Sequence, residues 1–152
     1  MSTPSVAALA TAIREQLSTA IAPALADDGQ KKLLAVIDHL LSTIAVRAEH
    51  EIDWMVAHTA DVVELAQRFV NAGAAPEPVA TALRRYVEGH RPGLTASVVT
   101  SNFALAAEVL STVLEATAAD DGEIALTARE LMVRDVARGV DIVGDDFELV
   151  PP

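Results

Sequence analysis

A long stretch without proline or glycine constrains this chain more than any other feature of its sequence. Neither residue occurs from Gln30 to Asn71, a span of about 42 residues that would form a single helix about 63 Å long. A compact domain of 152 residues has a radius of gyration of about 15 Å, so a helix of that length extends beyond its own core. We therefore expect either that the helix breaks or that a second subunit covers it.

Two acidic residues suggest where the long helix is interrupted. Asp61 and Glu64 have the spacing of a variant capping box, in which each side chain bonds to the backbone N–H of the other. Because they follow Thr59-Ala60, the sequence predicts a kink or short turn at that point. Apolar side chains at helical spacing predict one core-facing stripe along this helix, formed by Ile37, Leu41, Ile44, Ala48, Ile52, Met55, Val62, Ala66 and Phe69.

The other helix boundaries follow from prolines, glycines and capping residues. Thr3 before Pro4 predicts a first helix from Pro4 to Ala20, and Asp27 or Asp28 is expected to cap the second. Further helices are predicted over Glu77–Gly89, from Thr95 or Ser97 onward, and over Glu123–Arg138, closed by Gly139. The predicted fold is therefore all-α, a helical bundle of five or six helices over residues 1–139, followed by an acidic and apolar tail over 140–152.

The composition supports the helical prediction and excludes several classes of function. Apolar residues make up 51% and aromatic residues only 3%, a composition typical of a helical protein with small interfaces. The net charge of −11 argues against nucleic acid and anionic membranes as partners. The segment Pro92–Leu114 is too polar for a membrane span and is predicted to be a buried helix. Because no secretion signal is recognisable at the N-terminus, we expect a cytoplasmic protein.

Four side chains on the second helix form the candidate site. Arg47, Glu51, Trp54 and His58 follow one another at i, i+4, i+7 and i+11 beside the apolar stripe. One interpretation is a pocket for a small anion or acyl group, with Arg47 binding the ligand and Glu51 or His58 acting as base. The other is an ion pair at a helix–helix or subunit interface, which Trp54 fills.

No other motif predicts chemistry. His39 and His50 are about 16 Å apart along the helix, too far to bind one ion together, and the sequence contains no Glu-x-x-His. Together with His90 they are predicted to be surface histidines. The chain lacks cysteine, a nucleophile elbow and a phosphate-binding loop. We therefore expect no metal, no cofactor and no catalytic residues.

Part of the second helix carries a resemblance to a known family. Residues 33–41 lead to Arg47-Ala48-Glu49-His50-Glu51, an Arg-x-Glu-x-Glu pattern, and are preceded by Ala22-Pro23-Ala24-Leu25. Over the first third of the chain this resembles an uncharacterised bacterial helical domain that is found beside aminoglycoside-phosphotransferase-like proteins and acyl-CoA dehydrogenases. The resemblance implies an accessory protein for CoA-ester or phosphotransfer metabolism.

These observations favour a non-catalytic accessory or protein-interaction protein over an enzyme. The long helix and the apolar tail around Phe147 both need a partner surface, so a homodimer is expected, with a protein partner as a further expectation. The alternative is a protein that binds a small molecule, or an enzyme, with a pocket between its helices.

Overall fold

The computed structural model describes residues 4–143, and all regular structure within that range is helical. The helices are α1 (Val6–Gln16), α2 (Asp28–Asn71), α3 (Glu77–Gly89), α4 (Ala96–Ala116) and α5 (Glu123–Val143). A π-helical turn at Leu17–Ile21 and a 3-10 turn at Ala22–Ala24 lie between α1 and α2. The predicted all-α fold with a long second helix is confirmed.

Local capping determines where the first two helices begin. The Ser5 hydroxyl accepts a hydrogen bond of 3.1 Å from the Ala8 N–H, so α1 begins at Val6. The predicted start at Pro4 with Thr3 as the cap was therefore wrong. The Asp27 carboxylate accepts a 2.9 Å hydrogen bond from the Gln30 N–H, which confirms Asp27 as one of the two expected caps of α2.

Helix α2 is unbroken from Asp28 to Asn71. The short turn that we considered near Thr59-Ala60 does not occur, and both residues are helical. The physical reason lies in Asp61, whose carboxylate accepts a 3.0 Å hydrogen bond from Arg134 of α5 rather than capping a new helix. Helix α5 also differs from the prediction, because it continues through Gly139 to Val143, beyond the predicted end.

The described residues divide into two compact units. The first contains residues 4–51 together with 140–143, the end of α5. We call its residues 4–51, which are α1 and the N-terminal part of α2, the hairpin. The second, Ile52–Gly139, contains the remainder of α2 with α3, α4 and most of α5, and we call it the core unit. The prediction of one bundle over 1–139 with a separate tail stays a prediction, and residues 144–152 of that tail lie outside the described residues.

The hydrophobic core lies in the core unit. Its members come from four helices and include Val62, Leu65, Ala66, Phe69, Val79, Ala82, Tyr86, Ala106, Val109, Leu110, Val113, Ala128 and Leu131. Alanines at several of these positions allow the helix backbones to approach closely. The predicted stripe on α2 is therefore buried only in its C-terminal part: Val62, Ala66 and Phe69 are buried, whereas Ile37 and Ile44 are exposed.

Helix α4 is the most apolar of the five. By length and composition it could cross a membrane, with a mean hydropathy of 1.4 over its best window. In the core unit, however, Val99, Ala106, Val109 and Val113 of this helix are each at most 3% exposed. These four residues belong to the side of α4 that packs in the core unit, whereas only 33% of the apolar window as a whole is buried.

Candidate functional site

The first two predicted site residues form an ion pair on the surface of the hairpin. The Arg47 guanidinium donates through two nitrogens to the same Glu51 oxygen, the Nε bond measuring 3.1 Å. The Arg47 side chain is 52% exposed and that of Glu51 is 23% exposed. A solvated i, i+4 pair of this kind contributes at most about 0.5 kcal/mol to stability.

The other two predicted site residues belong to an aromatic cluster in the core unit. The rings of Trp54 and His58 have centroids 6.1 Å apart. Phe103 of α4 lies against both, at 5.3 Å from Trp54 and 5.5 Å from His58, in tilted arrangements. Such arrangements add about 0.5–1.5 kcal/mol per aromatic pair beyond the burial of surface. The sequence placed Phe103 on an apolar stripe but gave no signal that it would meet these two residues.

Two buried nitrogens of this cluster have no hydrogen-bond partner among residues 4–143: Trp54 Nε1 and His58 Nδ1. His58 is only 4% exposed, so its side chain is shielded from water. Burial lowers the pKa of His58, since the charged imidazolium would lose its hydration. Asp135 and Asp61 oppose this effect and Arg134 adds to it.

The lowered pKa of His58 predicts that the protein loses stability in weak acid. As the pH falls from the unfolded pKa of about 6.5 through the lower folded pKa, the unfolded chain binds a proton that native His58 does not. The free energy of unfolding should therefore decrease through that window and be highest above it. Urea titrations at pH 7.5 and 5.5 measure the change.

His50 provides the matched control, because it lies on the same helix and is exposed. The variant His58→Gln should flatten the pH dependence, while His50→Gln should leave it intact. Equal pH dependence in the wild type and His58→Gln would show that another group is responsible.

The four predicted residues therefore form two pairs, one in each unit. Arg47 contacts Glu51 within the hairpin, and Trp54 contacts His58 within the core unit. The proposal that all four form one site stays a prediction. Of the other histidines, His50 and His90 are exposed as expected, but His39 is half-buried, which corrects its placement on the solvated face.

A bidentate ion pair joins the two helices of the hairpin. Arg14 of α1 donates through Nε and Nη2 to the two carboxylate oxygens of Asp38 on α2, at 2.8 and 2.9 Å. These hydrogen bonds hold the pKa of Asp38 below its usual value. Arg14 precedes the connecting segment at residues 25–27 by about as many residues as Asp38 follows it, so a direct contact between them requires α1 and α2 to run antiparallel. An open groove of about 710 Å³ adjoins this pair.

The hairpin also carries an apolar face that its own residues do not cover. In α1, Leu9 precedes the buried Ala10, and Ile13 precedes Arg14, which bonds to Asp38 of α2. In α2, Leu33, Ile37, Leu40 and Ile44 likewise precede the half-buried residues Leu34, Asp38, Leu41 and Ala45. Successive residues of a helix are rotated by about 100° about the helix axis. In two antiparallel helices, the residues that directly precede the contact positions therefore lie on the same side of the helix pair.

We call this side of the hairpin the apolar face. Its members are between 37% and 61% exposed, and they are Val6, Leu9, Ile13, Leu33, Ile37, Leu40 and Ile44. Unlike the isolated apolar side chains that most surfaces carry, these residues are contiguous on two neighbouring helices. Contiguous apolar surface of this kind marks an interaction site.

Comparisons with known proteins give this chain no relatives. It matches no protein-family model, no curated protein and no solved structure.

Proposed function

We propose that this protein is a non-catalytic, self-associating helical accessory protein, in which the apolar face of one hairpin packs against that of a second copy. The observation that carries the proposal is the row of half-exposed Leu, Ile and Val side chains along both helices of the hairpin. Two such hairpins facing each other about a two-fold axis form a four-helix arrangement in which every helix contributes an apolar stripe to a shared core.

The size of the apolar face supports a second copy as its occupant. Burying a Val, Leu or Ile side chain contributes about 1.5–3 kcal/mol at about 25 cal/mol per Å², which corresponds to about 60–120 Å² each. At roughly half exposure, the face offers about 200–400 Å² of apolar side-chain area per protomer. A standard interface buries about 800 Å² per partner, slightly more than half of it apolar. The face therefore supplies a large part of what a stable dimer needs.

The biological setting of such a dimer rests on the sequence resemblance. The bacterial helical domain that the first third of the chain resembles is found beside aminoglycoside-phosphotransferase-like proteins and acyl-CoA dehydrogenases, and this resemblance supports an accessory role in CoA-ester or phosphotransfer metabolism. A folded, acidic dimer without catalytic motifs suits the binding or organising of another protein.

The mass of the protein in solution tests this proposal. Sedimentation equilibrium of the full chain at 1–50 µM is expected to give twice the 16.0 kDa mass of one chain. We also expect the mass to persist in 0.5 M salt, because apolar contacts are not screened. A monomer mass across the whole concentration range would overturn the proposal.

A further inference from the structure

A second cavity lies within the core unit. It has a volume of about 280 Å³ and lies where the loop between α3 and α4 meets the side of α2. Val56 and Thr59 of α2, His90 and Arg91 of the loop, and Val99 and Asn102 of α4 line it. We call it the loop cavity.

Asn102 gives the loop cavity a preformed wall. This residue is 7% exposed, and its side-chain oxygen accepts a 3.1 Å hydrogen bond from the Arg91 N–H. Its amide nitrogen donates a 2.8 Å hydrogen bond to the Arg91 carbonyl. One buried amide therefore holds both backbone groups of Arg91. Gly93, with a φ of +137°, then turns the chain in a conformation that side chains disfavour.

A threonine with an unpaired hydroxyl lines this cavity. Thr59 is 7% exposed, and its Oγ1 has no hydrogen-bond partner among the described residues. Other helical threonines donate to a backbone carbonyl: Thr112 and Thr127 donate to the carbonyls of Val109 and Glu123, at 2.8 and 2.9 Å. Leaving a buried hydroxyl unsatisfied costs about 1–3 kcal/mol. A ligand atom in the cavity completes the missing hydrogen bond once the Thr59 side chain rotates to turn its buried hydroxyl toward the cavity.

The charge around the cavity is opposite to that of the protein. Among the described residues that line it, the charged and titratable side chains near the opening are Arg91 and His90, and none is a carboxylate. The chain as a whole has 22 acidic against 11 basic residues. The His90 ring lies against Tyr86, with centroids 5.4 Å apart, which fixes its position at the loop. A basic cavity in an acidic protein favours an anion over a cation or a neutral molecule.

We propose that the loop cavity binds a small carboxylate that carries a short apolar chain. Arg91 supplies the positive charge, His90 and Thr59 supply hydrogen-bond donors, and Val56 and Val99 contact the chain. The volume sets the size of the ligand, because pockets for drug-sized molecules measure about 300–1,000 Å³ and this cavity lies just below that range. A carboxylate of about six carbons fits, whereas a nucleotide or an intact coenzyme A does not.

Isothermal titration with hexanoate tests the proposal, with hexylamine and hexanol as probes of equal chain length. We expect hexanoate to bind and hexylamine not to bind. The variant Arg91→Gln should weaken hexanoate binding about tenfold, since a charged hydrogen bond contributes about 1.5 kcal/mol or more. The matched control is Arg85→Gln, an exposed arginine of α3 outside the cavity, which should leave the affinity unchanged.

The variant Thr59→Val separates binding from folding. It keeps the shape of the side chain and removes the unpaired hydroxyl, so the free energy of unfolding should stay constant or rise. Hexanoate binding should nevertheless weaken about fivefold. Absence of hexanoate binding at millimolar concentration, equal binding of hexylamine, or unchanged affinity in Arg91→Gln would each overturn the proposal.

Discussion

Replacing Leu40 by glutamate is expected to convert the proposed dimer into a monomer. Leu40 is 54% exposed on the apolar face, so in a single chain the new carboxylate remains hydrated. At a two-fold interface the same change buries two carboxylates, at several kcal/mol per ion. Since each 1.4 kcal/mol is a factor of ten, we expect the dissociation constant to rise at least ~100-fold. Sedimentation equilibrium of the variant beside the wild type measures this change.

Leu126→Glu is the matched control for this experiment. Leu126 is 51% exposed and lies on α5 in the core unit, so it is not a member of the apolar face of the hairpin. This variant should keep the mass of the wild type. If Leu40→Glu also keeps that mass, or if both variants dissociate equally, the apolar face is not the interface. Circular dichroism at 222 nm verifies that both variants retain their helices.

Replacing Leu65 by alanine is expected to give the largest loss of stability. Leu65 is 2% exposed and belongs to the core that α2, α3, α4 and α5 share. Removing its side chain leaves a cavity that the surrounding helices fill only in part, at a cost of about 2–5 kcal/mol. Because domains of this size are stable by about 5–15 kcal/mol in total, the variant loses a large fraction of its stability.

Urea denaturation measures this loss, and the chain contains its own reporter. Trp54 is the single tryptophan and lies in the core unit against Phe103, so its fluorescence follows unfolding of that unit. Leu126→Ala makes the same chemical change at an exposed position and should shift the stability by no more than about 0.5 kcal/mol. Similar midpoints for the two variants would contradict the placement of the core.

Much of the helical framework could be read from the sequence. The bounds of α3, Glu77–Gly89, were predicted as they occur, because Pro76 precedes that helix and Gly89 with Pro92 ends it. The Asp27 cap of α2 was likewise one of two predicted candidates. These features are local: each depends on the conformational preferences and hydrogen bonds of residues within a few positions of one another.

The candidate site could be predicted only in its local contacts. Arg47 and Glu51 pair as their i, i+4 spacing predicts. The row of Arg47, Glu51, Trp54 and His58 was predicted to lie at the edge of the apolar stripe. His58 is instead buried against Phe103 of another helix. The sequence contained no signal for the loop cavity. Thr59, Arg91 and Asn102 come from separate elements, so no short motif contains them.

The sequence by itself therefore determined that the chain is an all-α bundle of five or six helices, where α3 begins and ends, and which sides of the helices are apolar. Only the tertiary structure decided which part of an apolar side is buried. The stripe on α2 has similar composition along its length, but Val62 is 1% exposed and Ile44 is 47% exposed. Periodicity follows from the geometry of a single helix, whereas burial depends on which distant segments pack against it. That packing covers α2 from His58 onward and leaves the apolar face of the hairpin uncovered.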